Sequence, residues 1–498
     1  MLNSKFALVF LLFLAHLSAK AKIEFNKNNQ QAFENILNLK LPKANEILDT
    51  ELSINPQNVY TIYLKGLSEV IQVFINENDK SYKLLQKSLP EKLKQIEKHG
   101  GKSAYTHFFK GQLLFYYGLT QAKFDDLFSS GTHIRDAYLI LKNNATKYPN
   151  FLPNNTVMGV IETFSGTVPN SFKWLINMFG VKASITNGMK RIDKMASANT
   201  SHESDLEYFK LEAKIFQGGL YHLVLHDEKK GWGIINSCTN DFKTNLLSNY
   251  LRASFLIKTG ENEKAISILL TQPKGKDYVE VRFLDYLLGV AKLNRLDKDA
   301  DKYLISFLKY FKGRNYLKSA AQKLAWYYLI HDDFVNYHHY MNKISKIGVE
   351  FTDEDKQAAK NFTSKNIPNI SLLRARLLFD GGYYDRSYKE LEGKSTKNYS
   401  DKKDQVEFIY RLARIYQKQE KYQKAIIHFN KVILIGRNSP HYYAMASSIE
   451  IGLIYEILND KVNAHKYYTK ALTFTKNKEY INSLEQRANA GINRTKKQ

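Results

Sequence analysis

"FIYRLARIYQKQEKYQKAIIHFNKVI", residues 408–433, is the stretch whose reading decides the fold. Ile409, Leu412, Ala413 and Tyr416 recur at helical spacing, which puts them on one face of a first helix. "QKQEKY" is a polar turn, and Ala425, Phe429 and Val432 line a second helix. Ala413 and Ala425 are small enough for the two backbones to approach, while Tyr416 and Phe429 fill the space beside them. The unit reads as an antiparallel helix pair.

The pattern recurs on both sides. "IEIGLIYEILNDKVNAHKYYTKAL" (449–472) repeats it with Gly452, Tyr455, Ala464, Tyr468 and Ala471. Upstream, "LLRARLLFDGGYYDRSYKEL" places Ala375, Leu378, Ser387 and Leu391 at equivalent offsets. "NYLRASFLIKTGENEKAISILL" does the same with Ala253, Leu256, Ala265 and Leu269. Gly289 and Ala325 hold the small position between them, before degraded second helices. Ala253, Gly289 and Ala325 are spaced 36 residues apart, and Ala375, Ala413 and Gly452 follow at steps of 38 and 39. The 50-residue step from Ala325 to Ala375 holds an insertion near 352–368.

These residues resemble the tetratricopeptide repeat, with its small–aromatic, then alanine, aromatic and alanine pattern. The resemblance implies an all-α, tetratricopeptide-like solenoid of antiparallel helix pairs. Such a stack presents a long surface for a protein or peptide and needs no catalytic pocket. On this reading the chain divides into a signal peptide (1–21), an irregular N-terminal helical region (22–199), degenerate repeats (200–365), C-terminal repeats (366–490) and a basic tail (491–498). In the N-terminal region Gly66 and Gly111 stand where a close helix contact would want glycine.

Residues 165–188, "SGTVPNSFKWLINMFGVKASITNG", interrupt the lysine-rich helical pattern. Pro169 suits a helix start and Gly180 a helix stop, which predicts a short apolar helix near 169–180. Phe172, Leu175, Ile176 and Phe179 share one face, which reads as burial against the protein's own helices. The alternative is a hairpin that docks a partner or touches a membrane. Gly159, Pro169, Leu175, Gly180, Gly188 and Met189 together resemble the tetratricopeptide repeat domain 39 family and the related yeast inclusion body clearance proteins. The export signal described next departs from those intracellular proteins, so the resemblance extends to fold and not to cellular role.

"MLNSKFALVFLLFLAHLSAKAKIEF" opens the chain with charged Lys5, an apolar core from Phe6 to Ala19, and the small-x-small site Ala19-Lys20-Ala21. The apolar core is shorter than the roughly 20 residues of a comfortable membrane span. Export with cleavage after Ala21 is the expectation. The lone Cys238 excludes an internal disulfide and any multi-cysteine metal site, and an exported chain without disulfides suits a bacterial periplasm or surface. Formal net charge is +24, and signal removal lowers it by two. Such a charge attracts anionic partners, whether acidic proteins, polysaccharides, lipid headgroups or nucleic acid, although the basic residues are spread along the chain.

Catalytic motifs are weak throughout, so no enzyme activity and no cofactor is expected. "HGGKSAY" ends like a phosphate-binding loop, but Ile96 stands where the motif needs its first glycine. His222 and His226 have zinc spacing, yet Leu223 replaces the glutamate of metalloproteases. His331, Asp332, His338 and His339 are interleaved with aromatics, as on ordinary helix faces. Cys238 reads as a small packed residue more than as a reactive thiol. No basic stripe with stacking aromatics points to nucleic acid. One constellation remains: Trp326, Arg376 and Arg414 each follow a small position and face the groove of such an array, with Gln322, Leu329, Tyr410 and Gln417 on the same side. The two arginines are placed to converge on a carboxylate of an acidic protein or peptide. Sequencing the N-terminus of the mature protein is expected to give Lys22-Ile23-Glu24; an intact Met1 on a cytoplasmic form would reject export.

Overall fold

The computed structural model describes residues 23–166, 181, 184–200, 205–225, 227–474 and 479–496. The export segment and the apolar stretch 167–180, including Pro169, Phe172, Leu175 and Phe179, lie outside the described residues. Among those described there are 24 α-helices and no strand. The N-terminal part holds α1 (Lys27–Leu37), α2 (Leu41–Ile54), α3 (Val59–Asn76), α4 (Asp79–Gly100), α5 (Ala104–Lys123), α6 (Leu127–Lys147), α7 (Asn154–Ser165) and α8 (Ile185–Ala196). Next come α9 (Leu206–Leu223), α10 (Glu228–Cys238), α11 (Leu246–Lys258), α12 (Asn262–Leu270), α13 (Phe283–Arg295), α14 (Ala300–Tyr310), α15 (Leu317–Leu329), α16 (Phe334–Lys343) and α17 (Asp353–Ser364). The C-terminal part holds α18 (Ile370–Asp380), α19 (Tyr384–Lys389), α20 (Lys402–Lys418), α21 (Tyr422–Gly436), α22 (Tyr443–Ile457), α23 (Lys461–Ala471) and α24 (Ile481–Thr495). Many starts are capped by the preceding side chain, as where Asn78 accepts from Ser81 N at 3.0 Å and Asp460 from Asn463 N at 3.0 Å.

The small positions do what their spacing predicts. Ala253, Ala325, Ala375 and Ala413 are each fully buried. A Cβ on Gly289 would lie 2.7 Å from Leu304, and one on Gly452 2.7 Å from Tyr468. Between α7 and α8 the backbones themselves touch: a Cβ on Gly188 would stand 2.6 Å from the Gly159 carbonyl. Second helices read as degraded from sequence, α14 and α16, are complete.

A second periodicity was not visible as a motif. Seven residues after each small position the backbone turns left-handed, at Gly260 (φ 79°), Leu296 (65°), Asp332 (59°), Gly382 (84°), Glu420 (59°) and Asn459 (60°). The offset holds from Ala32 to Leu39 (57°) and from Gly118 to Asp125 (65°), so part of the irregular N-terminal region shares the register. One left-handed residue reverses the chain from first helix to second; for a side chain it costs roughly 1–2 kcal/mol, which flanking helix packing must offset.

The stack then folds back on itself. α18 packs on α13 two pairs earlier, and its turn reaches the α11–α12 turn. There a Cβ on Gly382 would overlap the Gly260 carbonyl, which is why glycine occupies both turns. The insertion between α16 and α18 is helical: Asp355 of α17 accepts from Tyr316 N at 2.6 Å and Ser319 N at 2.9 Å, capping α15 from outside. One buried apolar cluster runs from Ala32 to Leu377 and does not divide near 199/200. Smaller clusters span Leu372–Ile415 and Val406–Ala488. α24 extends to Thr495, so the segment assigned to a basic tail begins inside a packed helix, with Gly491 against Tyr468.

Ala413→Trp is expected to overpack the helix contact and destabilise by roughly 1–3 kcal/mol or more. Gly382→Ala, strained at φ 84° and blocked by Gly260, should cost at least about 1–2 kcal/mol. Denaturant melts read both, and two unchanged midpoints would reject the register.

Candidate functional site

α20 and α22 are the first helices of neighbouring pairs, and their polar residues meet between the pairs. Arg414 follows Ala413 on α20; Glu450 precedes Gly452 by two positions on α22. Arg414 Nη1 lies 3.6 Å from Glu450 Oε1, and Arg487 Nη2 of α24 lies 2.9 Å from the same oxygen. Gln417 Nε2 donates to Glu450 Oε2 at 2.9 Å, and Arg414 Nη1 to the Tyr410 hydroxyl at 3.1 Å. The Arg414 guanidinium also sits 4.7 Å over the Phe379 ring. Burial works against the Glu450 charge, but Arg414 and Arg487 outweigh it and hold the carboxyl at about 2. A parallel arrangement lies one turn earlier: Arg411 Nη2 is 2.7 Å from Glu407 Oε1, and the Tyr443 hydroxyl donates to Glu407 Oε2 at 2.7 Å.

Arg376 and Trp326 come together elsewhere. The Arg376 guanidinium lies 5.0 Å from the Trp326 ring centroid, and its Nε lies 3.8 Å from Asp380. The Lys323 ammonium is also 5.0 Å from that ring. A pocket opens beside this cluster, where α15, α17 and α18 face α20 and the start of α22. Gln322, Trp326, Arg376, Asn369, Lys403 and Tyr480 are among its walls, and the free space inside is ≈ 50 Å³.

The five residues singled out from sequence therefore split in two. Tyr410, Arg414 and Gln417 form one network with Glu450, while Trp326 and Arg376 line the pocket. The convergence of both arginines on a partner's carboxylate is corrected: Glu450 already supplies Arg414 with one from the next repeat. Tyr410, only 2% exposed, is a buried packing residue and not an open groove wall. Glu450, Arg487 and Lys323 were missed. The pairing of a residue just after one small position with one two before the next would have located Glu450.

The other candidates have ordinary surroundings. His222 packs 4.5 Å from the Phe255 ring, burial pushes its pKa down, and His226 lies outside the described residues. His331 Nδ1 pairs with the Tyr327 carbonyl at 2.8 Å, and His338 lies against Tyr337. Burial raises the Cys238 thiol, whose Sγ donates to the Ile235 carbonyl at 3.5 Å. Among the described residues no three His, Cys, Asp or Glu side chains gather as a metal site, and no helix is long and apolar enough to cross a membrane.

Residues 405–477, which take in most of α20 and all of α21, α22 and α23, match the tetratricopeptide repeat family. The protein thus contains tetratricopeptide repeats and is a helical solenoid. No curated protein sequence matches the chain. Likeness to the tetratricopeptide repeat domain 39 and inclusion body clearance proteins is not confirmed by these matches. Among solved structures, the human IFIT1 dimer with PPP-AAAA is 13% identical, with 92% of this chain and 96% of that chain covered and a TM-score of 0.31. The APC/C hetero-tetramer Cut9–Hcn1 is 12% identical, with 99% of each chain covered and a TM-score of 0.25. Naa15/Naa10 bound to HypK is 13% identical, with 91% of this chain and 64% of that chain covered and a TM-score of 0.25. Likenesses this loose carry over no ligand.

Because the Glu450 carboxyl is depressed in the fold, its network stabilises fully above the ordinary glutamate value of 4.5 and is lost as pH falls toward about 2. Glu450→Gln is expected to cost about 2–3 kcal/mol at neutral pH, since two arginines lose a charged acceptor. Its melting temperature should converge on the wild type's in acid; a constant gap from pH 7 to 3 would exclude this electrostatic role.

Proposed function

We propose that this is an exported, non-enzymatic scaffold that binds a protein or peptide along its stacked helix pairs. What supports the reading is the tetratricopeptide repeat match over residues 405–477 and the stack of helix pairs around it, an arrangement that offers a long surface to a partner chain without needing a catalytic pocket. The chain's net positive charge favours acidic partners by long-range attraction. On this reading the encounter takes place in the periplasm or at the surface of a bacterium, as the N-terminal charged-then-apolar pattern suggests.

A second reading has its own support. On α4, Lys80, Lys83, Lys87, Lys94 and Lys98 are all exposed and recur at helical spacing, with the exposed Leu84 among them. That face suits an anionic glycan or lipid surface, with attraction that weakens as salt rises.

Affinity capture from the exported fraction separates the two. Recovery of one polypeptide that survives high salt is the expected result. Retention on anionic matrices alone, released by salt and weakened by Lys83→Glu/Lys87→Glu, would overturn the scaffold reading in favour of the second.

A further inference from the structure

The pocket beside Trp326 has more unanswered positive charge and donor capacity than its own side chains use. Gln322 is 4% exposed, yet its Nε2 has no acceptor among the described residues. Leaving such a donor unpaired costs roughly 1–3 kcal/mol, so an occupant that accepts from it is favoured. Arg376 enters the same pocket, where the Tyr480 side chain hydrogen-bonds it, and its one carboxylate, Asp380, is loosely held at 3.8 Å and half exposed. Lys323 is not one of the pocket's walls but lies against the same Trp326 ring as Arg376, and it makes no ion pair or hydrogen bond among the described residues; burial and Arg376 push its pKa down to about 8.

The acids in the lining do not supply the missing charge. Glu407 is taken by Arg411 and Tyr443. Glu479 is taken by His441 at 2.9 Å, Lys360 at 3.3 Å and the Tyr442 N–H at 3.2 Å. Asp404 is shifted up by burial and by Glu407, which weakens its charge. Free space of ≈ 50 Å³ leaves room for a small polar head.

We propose that this pocket is an oxyanion site, in which one carboxylate or phosphate accepts from the Arg376 guanidinium and the Gln322 amide, while Lys323, beside the pocket on the Trp326 ring, senses the added charge. For the oxyanion's source the proposal rests on the scaffold reading, an acidic group of a bound chain anchoring there; free phosphate has the same chemistry. Arg376 supplies a planar fork for two acceptor oxygens, and Gln322 a single directed donor.

Competitive acetylation tests it on the full-length protein. Limiting acetic anhydride is added at pH 8, near the Lys323 pKa, and the rate at each lysine is read by mass spectrometry. An oxyanion held close favours the ammonium over the free amine, so Lys323 acetylation slows several-fold. One arm adds inorganic phosphate and another pentaglutamate, each against chloride at equal ionic strength. Slowing by phosphate alone identifies a free phosphate, by pentaglutamate alone a peptide carboxylate, and by both a site open to either; all three support the proposal. Slowing by neither, or equal slowing at the exposed Lys83 and Lys98, overturns it. Arg376→Gln should abolish the effect and Gln322→Leu should weaken it; an effect unchanged in a folded variant of either also overturns it. The phosphate arm needs no partner, so it can fail while affinity capture succeeds, and the reverse.

Discussion

The close approach of paired helices at one small residue, followed seven residues later by a left-handed turn, is the constraint from which the rest of the structure follows. Ala413 lets α20 and α21 meet, and Glu420 reverses the chain between them. Ala325 with Asp332 and Gly452 with Asn459 repeat the arrangement. Each pair is short of apolar surface by itself and buries the remainder against its neighbours, so stability is shared along the stack. Glycine enters the turn only where another backbone comes near, as Gly260 and Gly382 do.

The insertion before α18 changes what the stack can present. α17 spends the buried carboxylate of Asp355 on the free amides at the start of α15. The chain then returns to pack α18 on α13, which brings Arg376 over Trp326 and leaves a pocket against α20 and α22. A uniform continuation of the repeat would have kept these residues in register along one surface.

Charge between pairs is used mainly inside the fold. Arg414 and Arg487 enclose Glu450, and Arg411 holds Glu407, so side chains that resemble a ligand clamp by position are inter-repeat ties. Such pairs gain little net stability over apolar packing, but breaking one strands its partner, which makes them markers of register. Arg376 lacks an equivalent tie to a buried carboxylate, and that difference sets the pocket apart.

By itself the sequence determined the fold class, the helix-pair register and the identity of its small residues, because helical periodicity and side-chain volume are local properties that survive in one dimension. It also located the insertion and named Trp326, Arg376, Tyr410, Arg414 and Gln417 as the polar and aromatic side of the first helices. It did not separate those five, since pairing of Arg414 with Glu450 joins residues 36 positions apart across two helix pairs. The left-handed turns escaped notice because Leu296, Asp332, Glu420 and Asn459 carry side chains where glycine would have announced them. Only the tertiary structure decided which cations are neutralised and which are not, because that depends on where α18 lands after the insertion, and long-range packing, not local propensity, sets that landing.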